Sequence, residues 1–236
     1  MRVAAISDIH GNLPALEAVV AEIEREKVDA IVVAGDTVSG PWAAEVFDLV
    51  TELDALIVCG NADRLVLARD EEHLGVWSAD RLGPRRLAAV ASWPLTLELA
   101  IDGLGSVLVC HSTPTSDEVL YTRITPAEEA AALFAGLGAE VVVCGHTHMQ
   151  YDRALAGGPR IVNPGSIGLP YEGMRGAYWA LLGPDVAFRR TEYDVEACVT
   201  AIRELAAPVD AELFDDLLQP PDSTATTEHF ESLRGA

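Results

Sequence analysis

Unbroken apolar runs alternate with helical patterns through the first sixty residues, and each run stops at a short polar burst. Residues 2–7 (RVAAIS) are strand-like. Asn12 then stands at a helix N-cap position with Pro14 in the first turn, and Leu13, Leu16, Val20 and Ile23 recur at helical spacing. The next strand is DAIVVAG (29–35), the next helix AAEVFDLVTEL (43–53), and the third strand ALIVCG (55–60). Strands that are apolar at every position are buried on both faces. With helices between them they predict a parallel sheet covered on both sides.

The pattern changes after residue 60. A helical region over about 64–92 leads into LTLELAIDGLGSVLVCH (95–111), two alternating runs about Asp102-Gly103 that predict a β-hairpin. A helix follows from Thr125-Pro126, then the strand AEVVVCG (139–145). Four short strands come next: QYDRAL, RIVNPG, AYWALL and VAFRR. Gly/Pro turns between them predict a mostly antiparallel second sheet. A last helix over about 194–206 closes the expected domain, 1–206. The acidic tail 207–236 is expected to be partly helical with a mobile Pro/Ser/Thr-rich last part, and the tail as a whole to dock on its own domain or on a second protomer near the cleft. The expected architecture is two sheets face to face with helices outside.

Composition narrows the function classes. Half of the 236 residues are hydrophobic, enough for a full core, and no apolar stretch is long enough to cross a bilayer. The opening MRVAAISDIH turns polar too soon for a secretory signal and fits a buried first strand. Cys59, Cys110, Cys144 and Cys198 are widely spaced, which suits reduced, buried thiols in a cytoplasmic protein. The 37 acidic residues outnumber the 16 basic ones for a net charge of −21. Such a surface repels long nucleic acids. A small phosphorylated substrate can still bind where divalent cations override the field.

The polar residues gather at strand ends: Ser7-Asp8-Ile9-His10-Gly11, Gly35-Asp36, Gly60-Asn61, Cys110-His111 and Gly145-His146-Thr147-His148. Four of the six histidines, all but His73 and His229, sit there. Carboxyl ends of strands are where open α/β sheets bind ligands. Two residues apart in extended backbone, Asp8 and His10 point to one side, as do His146 and His148. Each motif has a plain alternative, since Gly-Asn and Gly-Asp commonly make turns. Their joint occurrence favours a metal site. Four imidazoles, two carboxylates and one amide, without thiolate, suit Mn, Fe, Co, Ni or Zn. Seven donors exceed one tetrahedral site and fit a pair of ions sharing a carboxylate.

In this order the motifs resemble those of the calcineurin-like metallophosphoesterases, over residues 1 to about 190, and NPGSIG (163–168) fits the small bacterial and archaeal members. The resemblance implies a four-layer α/β/β/α sandwich, two packed mixed sheets flanked by helices. It implies Asp8, His10 and His148 as ligands of a first metal, Asn61, His111 and His146 of a second, and Asp36 as the bridge. A metal-bound hydroxide would then attack phosphorus, and Mn is the favoured ion. Many members follow Gly-Asn with a His that assists the leaving group, where this chain has Ala62. Arg64 is then a candidate for reaching a phosphate oxygen or, equally, a surface cation paired with Asp63. His73, Tyr121 and Arg123 are weaker candidates. Asp63 is expected to cap a helix or orient a ligand His, and Asn163 and Ser166 to support the pocket wall. The implied activity is hydrolysis of a small phosphodiester or monoester. The alternatives are a phosphoprotein or dinucleoside polyphosphate phosphatase, or a metal-binding scaffold without catalysis, and a homo-oligomer is open.

Overall fold

The computed structural model describes residues 1–71, 74–205 and 211–234, so His73 lies outside the described residues. β1 (Val3–Ile6), α1 (Leu13–Glu26), β2 (Ala30–Val33), α2 (Ala43–Glu52) and β3 (Leu56–Ile57) follow the alternation expected from the sequence. Asn12 caps α1 by accepting the Ala15 N–H at 3.2 Å. α3 (Asn61–Ala68) and α4 (Gly75–Val90) occupy the next segment, and α4 is broken at Gly83-Pro84, where Gly83 leaves helical dihedrals. Proline lacks the N–H that an unbroken helix needs there. β4 (Thr96–Ile101) and β5 (Gly105–Cys110) form the expected hairpin, and α5 (Ala127–Leu133) leads to β6 (Val141–Val143).

The last four strands depart from expectation. β7 (Gln150–Ala154) and β8 (Arg160–Pro164) join the hairpin, but β9 (Ala177–Leu182) and β10 (Val186–Thr191) cross to the first sheet. The first sheet has the order β10-β9-β1-β2-β3 and the second β4-β5-β6-β8-β7. The second is not mostly antiparallel, because β6 runs parallel to both β5 and β8. A physical reason is visible in β9: all six of its residues are buried, as in a central strand, whereas β10 alternates as an edge does. Both sheets are mixed, and helices flank them.

Val3, Ala5, Val32 and Ala34 face Val107, Val109, Val141 and Val143 in one apolar cluster between the sheets. Ala4, Ile6, Ile31 and Val33, on the opposite face, pack against Leu16, Val19 and Ile23 of α1 and Val46 and Val50 of α2. Leu108, Val142 and Ile161 cover the outer side of the second sheet with Ala130 and Phe134. The result is helix, sheet, sheet, helix. β1, β2 and β3 in one sheet and β5, β6 and β8 in the other send their carboxyl ends to a common rim. After β10 come α6 (Val195–Glu204), α7 (Ala211–Leu218) and α8 (Ser223–Leu233). The tail beyond 206 is thus helical in its described part, and α8 docks on its own domain, with Thr227 buried.

Candidate metal centre

Three loops of the first sheet and two of the second converge on this rim. Asp8 and His10 follow β1, Asp36 follows β2, Asn61 opens α3 after β3, His111 follows β5, and His146 and His148 follow β6. Main-chain bonds stitch the loops together: Asp8 N–H to Gly35 O (3.1 Å), His10 N–H to Asp36 O (2.9 Å), and Gly145 N–H to His111 O (2.8 Å). The last of these fixes the two loops of the second sheet against each other.

The backbone here is not extended, contrary to the alternation argument for Asp8/His10 and His146/His148. Asp8, His10, Asp36, His146 and His148 all have positive φ, between 46° and 70°. Non-glycine residues adopt that region rarely, and a cluster of them marks a functional constraint. Neighbouring glycines make room. A Cβ on Gly60 would lie 2.1 Å from Asp36 Oδ1, and one on Gly145 2.6 Å from Asp8 Oδ2.

Ligand-type atoms of Asp8, His10, Asp36 and His148 all lie within 4.8 Å of one another. His10 Nε2 is 3.2 Å from His148 Nε2 and 3.6 Å from Asp36 Oδ2, and His148 Nε2 is 3.5 Å from Asp8 Oδ1. His148 Nδ1–H donates to Leu169 O at 2.7 Å, which leaves Nε2 as the inward nitrogen. A second group shares Asp36. His111 Nε2 is 3.3 Å from Asp36 Oδ2 and 2.9 Å from Asn61 Oδ1, with Nδ1–H on Ala34 O at 2.7 Å. His146 lies edge-on to His111, ring centroids 5.1 Å apart, and its Nε2 meets Glu118 O at 3.3 Å. All seven expected ligands come together, with Asp36 common to both groups.

Burial sets the charge states. It pushes His10, His146 and His148 down to about 4, so all three are neutral donors of lone pairs at pH 7. It pushes Asp8 up to about 6, against the attraction of His111. Burial also opposes charge on His111, but the adjacent Asp36 carboxylate prevails and lifts the imidazole to about 10. Burial alone would raise Asp36 too, yet the His111 imidazolium holds it well below the usual carboxylate range. In the protein alone, one imidazolium thus sits where a cation's charge is wanted.

A direct observation tests whether a metal fits. Asp8 Oδ2 is buried with no hydrogen-bond partner among the described residues, a costly arrangement unless a cation takes the lone pairs. Clustered acceptors, with two Nδ1–H groups turned outward onto carbonyls, match the way metal-binding histidines are held.

The remaining candidates have other partners. Asp63 is buried and accepts Thr37, Val38 and Gly60 N–H groups, so it caps α3 and ties it to the Asp36 loop. Burial, and then the Asp36 charge, push it up to about 7. Arg64 pairs with Asp117 at 2.8 Å and with Glu118, not with Asp63. Ala62 offers only its N–H, to Asp36 Oδ1 at 2.8 Å. Tyr121 O–H donates to Ser112 O in the buried interior, and Arg123 reaches Ser223 in the tail. Asn163 donates to Gly145 O and Ser166 to Asp8 O, each bracing a ligand loop. One neighbour had no sequence signal: Tyr171 stacks on His148, centroids 4.9 Å apart. A lone Tyr after a Pro in a loop carries no spacing that announces such a contact.

Fold and site together define a phosphoesterase architecture with a candidate metal centre at the strand ends. The model of the calcineurin-like phosphoesterase superfamily domain matches residues 1–182, and the chain belongs to that family. Its fold also resembles a metallophosphoesterase from Sphaerobacter thermophilus, 29% identical, with a TM-score of 0.74 over 93% of this chain and 98% of the other. A hypothetical protein from Pyrococcus horikoshii OT3, 21% identical, shares the fold with a TM-score of 0.81 over 94% and 99%. An uncharacterized protein of Methanocaldococcus jannaschii is 27% identical over 220 residues, 82% of this chain and 88% of its own length.

Proposed function

We propose that the protein is a divalent-metal-dependent phosphoesterase that hydrolyses a small phosphodiester, or a phosphomonoester, at a two-ion centre. Asp8, His10 and His148 hold one ion, Asn61, His111 and His146 the other, and Asp36 serves both. The observation that carries this reading is the place of the Asp36 carboxylate, between His10 Nε2 and His111 Nε2 at 3.6 and 3.3 Å. An N/O donor set without thiolate suits Mn, Fe, Co, Ni or Zn, and Mn is the ion proposed among them. When bound, the ions supply Lewis-acid charge that offsets phosphoryl oxygens and acidifies water.

The chain's own residues orient and insulate. Leu169 O and Ala34 O fix the tautomers of His148 and His111, so both present Nε2 inward. Among the described residues, the thiols and hydroxyls beside the centre are not poised as nucleophiles. Burial pushes the Cys59 thiol up to about 12 and Cys144 up to about 11, and Ser7 and Ser112 hydroxyls donate to Ala34 O and Val119 O. This supports attack by water. With a methyl group at Ala62, the leaving group meets no imidazole at that position, which favours esters whose leaving group needs little protonation. The four free buried thiols suit a reducing compartment such as the cytoplasm.

Metal analysis of purified protein, followed by turnover of a chromogenic phosphodiester and a matching monoester with Mn, Zn, Ni or Co, tests the reading. Two bound ions and Mn-stimulated hydrolysis are expected. Two bound ions with no hydrolysis under any of these metals would leave a scaffold and sink the enzyme. Asp36→Asn is expected to abolish turnover and lower metal content at both positions, and activity surviving within a few-fold would exclude a shared carboxylate.

A further inference from the structure

The family match ends at residue 182, yet both histidines of Gly-His-Thr-His are backed by segments that a helix beyond it holds. Tyr171 lies on His148 with ring planes 13° from parallel, and its N–H donates to His148 O at 3.3 Å. Phe230 of α8 meets Tyr171 edge-on, centroids 6.1 Å apart. One turn earlier, the buried Thr227 hydroxyl reaches Met149 Sδ at 3.4 Å, on the residue after His148. The far end of α8 grips a different segment. Glu231 accepts the hydroxyls of Thr122 (2.7 Å) and Thr125, and Arg234 donates to Leu120 O at 3.2 Å. Glu118, two residues before Leu120, is the one whose carbonyl meets His146 Nε2.

We propose that α8 is a positioning element for the metal centre, orienting His148 through Tyr171 and His146 through the 118–125 segment. The proposal rests on the reading that both histidines are metal ligands. A ligand imidazole needs its ring plane fixed as well as its tautomer, and outer partners of this kind govern metal affinity. Leu169 O supplies the hydrogen bond to His148, and Tyr171 supplies the plane. An eleven-residue helix holds its shape only by packing, so its ordering and the order of both rings are linked. The two grips act on different histidines, so they are separable.

The test uses full-length, metal-free protein titrated with Mn²⁺ by calorimetry, with circular dichroism confirming the fold of each variant. Tyr171→Ala and Phe230→Ala are expected to weaken one of two binding steps by about tenfold, while Tyr171→Phe, which keeps the stack, restores it. Glu231→Gln is expected to weaken the other step. If Phe230→Ala does not fold, Phe230→Leu, which keeps apolar bulk but not the ring, takes its place with the same expectation. Folded variants whose two dissociation constants both stay within twofold of the parent overturn the positioning role alone. A parent protein that binds no Mn²⁺ overturns this inference and the functional reading beneath it.

Discussion

A tight constraint on a single residue is at Gly60, whose Cα lies against the Asp36 loop. A methyl there would sit 2.4 Å from Asp36 N as well as 2.1 Å from Oδ1, so either the carboxylate or the α3 entry must move. Displacing a reacting constellation by about 1 Å costs on the order of 10²-fold in rate. Gly60→Ala is therefore expected to fold yet lose about 10² in kcat and most of its bound metal, read by steady-state kinetics and metal analysis. Full activity would show that Asp36 does not need its present place. Arg64 is a weaker dependence, because Asp117 and Glu118 already neutralise its guanidinium. Arg64→Ala is expected to change kcat/KM by less than about threefold, in line with an exposed ion pair. A tenfold fall confined to kcat would instead give it the leaving-group task that Ala62 cannot perform. Residue types at the site were legible because Asp, His and Asn each followed an apolar run. Their positive φ was not, since a dihedral is set by the loops around it and no single residue type announces it.

Elements were legible wherever one apolar period dominated. α1 announced itself through Asn12, Pro14 and a helical stripe, and β1, β2 and β3 through continuous burial. β9 did not reveal its sheet, because AYWALL is equally apolar whichever neighbour it joins, and pairing with β1 is decided by long-range packing. α8 was hidden for the opposite reason. STATTEHFESL has little apolar stripe of its own, and its place depends on polar grips such as Glu231. That dependence has a pH signature. Burial would raise the Glu231 carboxyl, but the Thr125 and Thr122 hydroxyls and Arg234 hold it below its ordinary value. A carboxylate depressed in the folded state adds stability above its unfolded value of about 4.3, and that stability is lost as pH falls through the folded value. Amide protection in 223–233 is therefore expected to drop on acidification from pH 6 to 3 before that of the β strands, measured by hydrogen exchange. Glu231→Gln is expected to remove most of the difference between the two pH values. Protection lost in step with the core would make the grip irrelevant to docking.

On the scale of the whole molecule, the seam between the two sheets carries a charge problem that the fold alone does not solve. Asp8 and Asp36 are both buried, the net charge of the chain is −21, and His111 is the cationic neighbour that holds Asp36 ionised. On the proposed two-ion reading, an arriving cation would take over that task and displace the His111 proton, because a ligand imidazole is neutral. With His111 near 10 and the other three site histidines near 4, binding at pH 6.5 is expected to release about one proton from His111. A fraction more comes from Asp8, at about 6. At that pH, water on a divalent ion contributes little. The sign follows directly: apparent affinity rises with pH while His111 is protonated in the metal-free protein, up to about tenfold per unit, and levels off toward pH 10. Calorimetry in two buffers of different ionisation heat gives the proton count, and Mn²⁺ titrations at pH 6.5, 7.5 and 8.5 give the slope. Absence of proton release together with a flat affinity would mean that His111 is already neutral in the metal-free protein, and that the Asp36–His111 ion pair is not what holds the seam together.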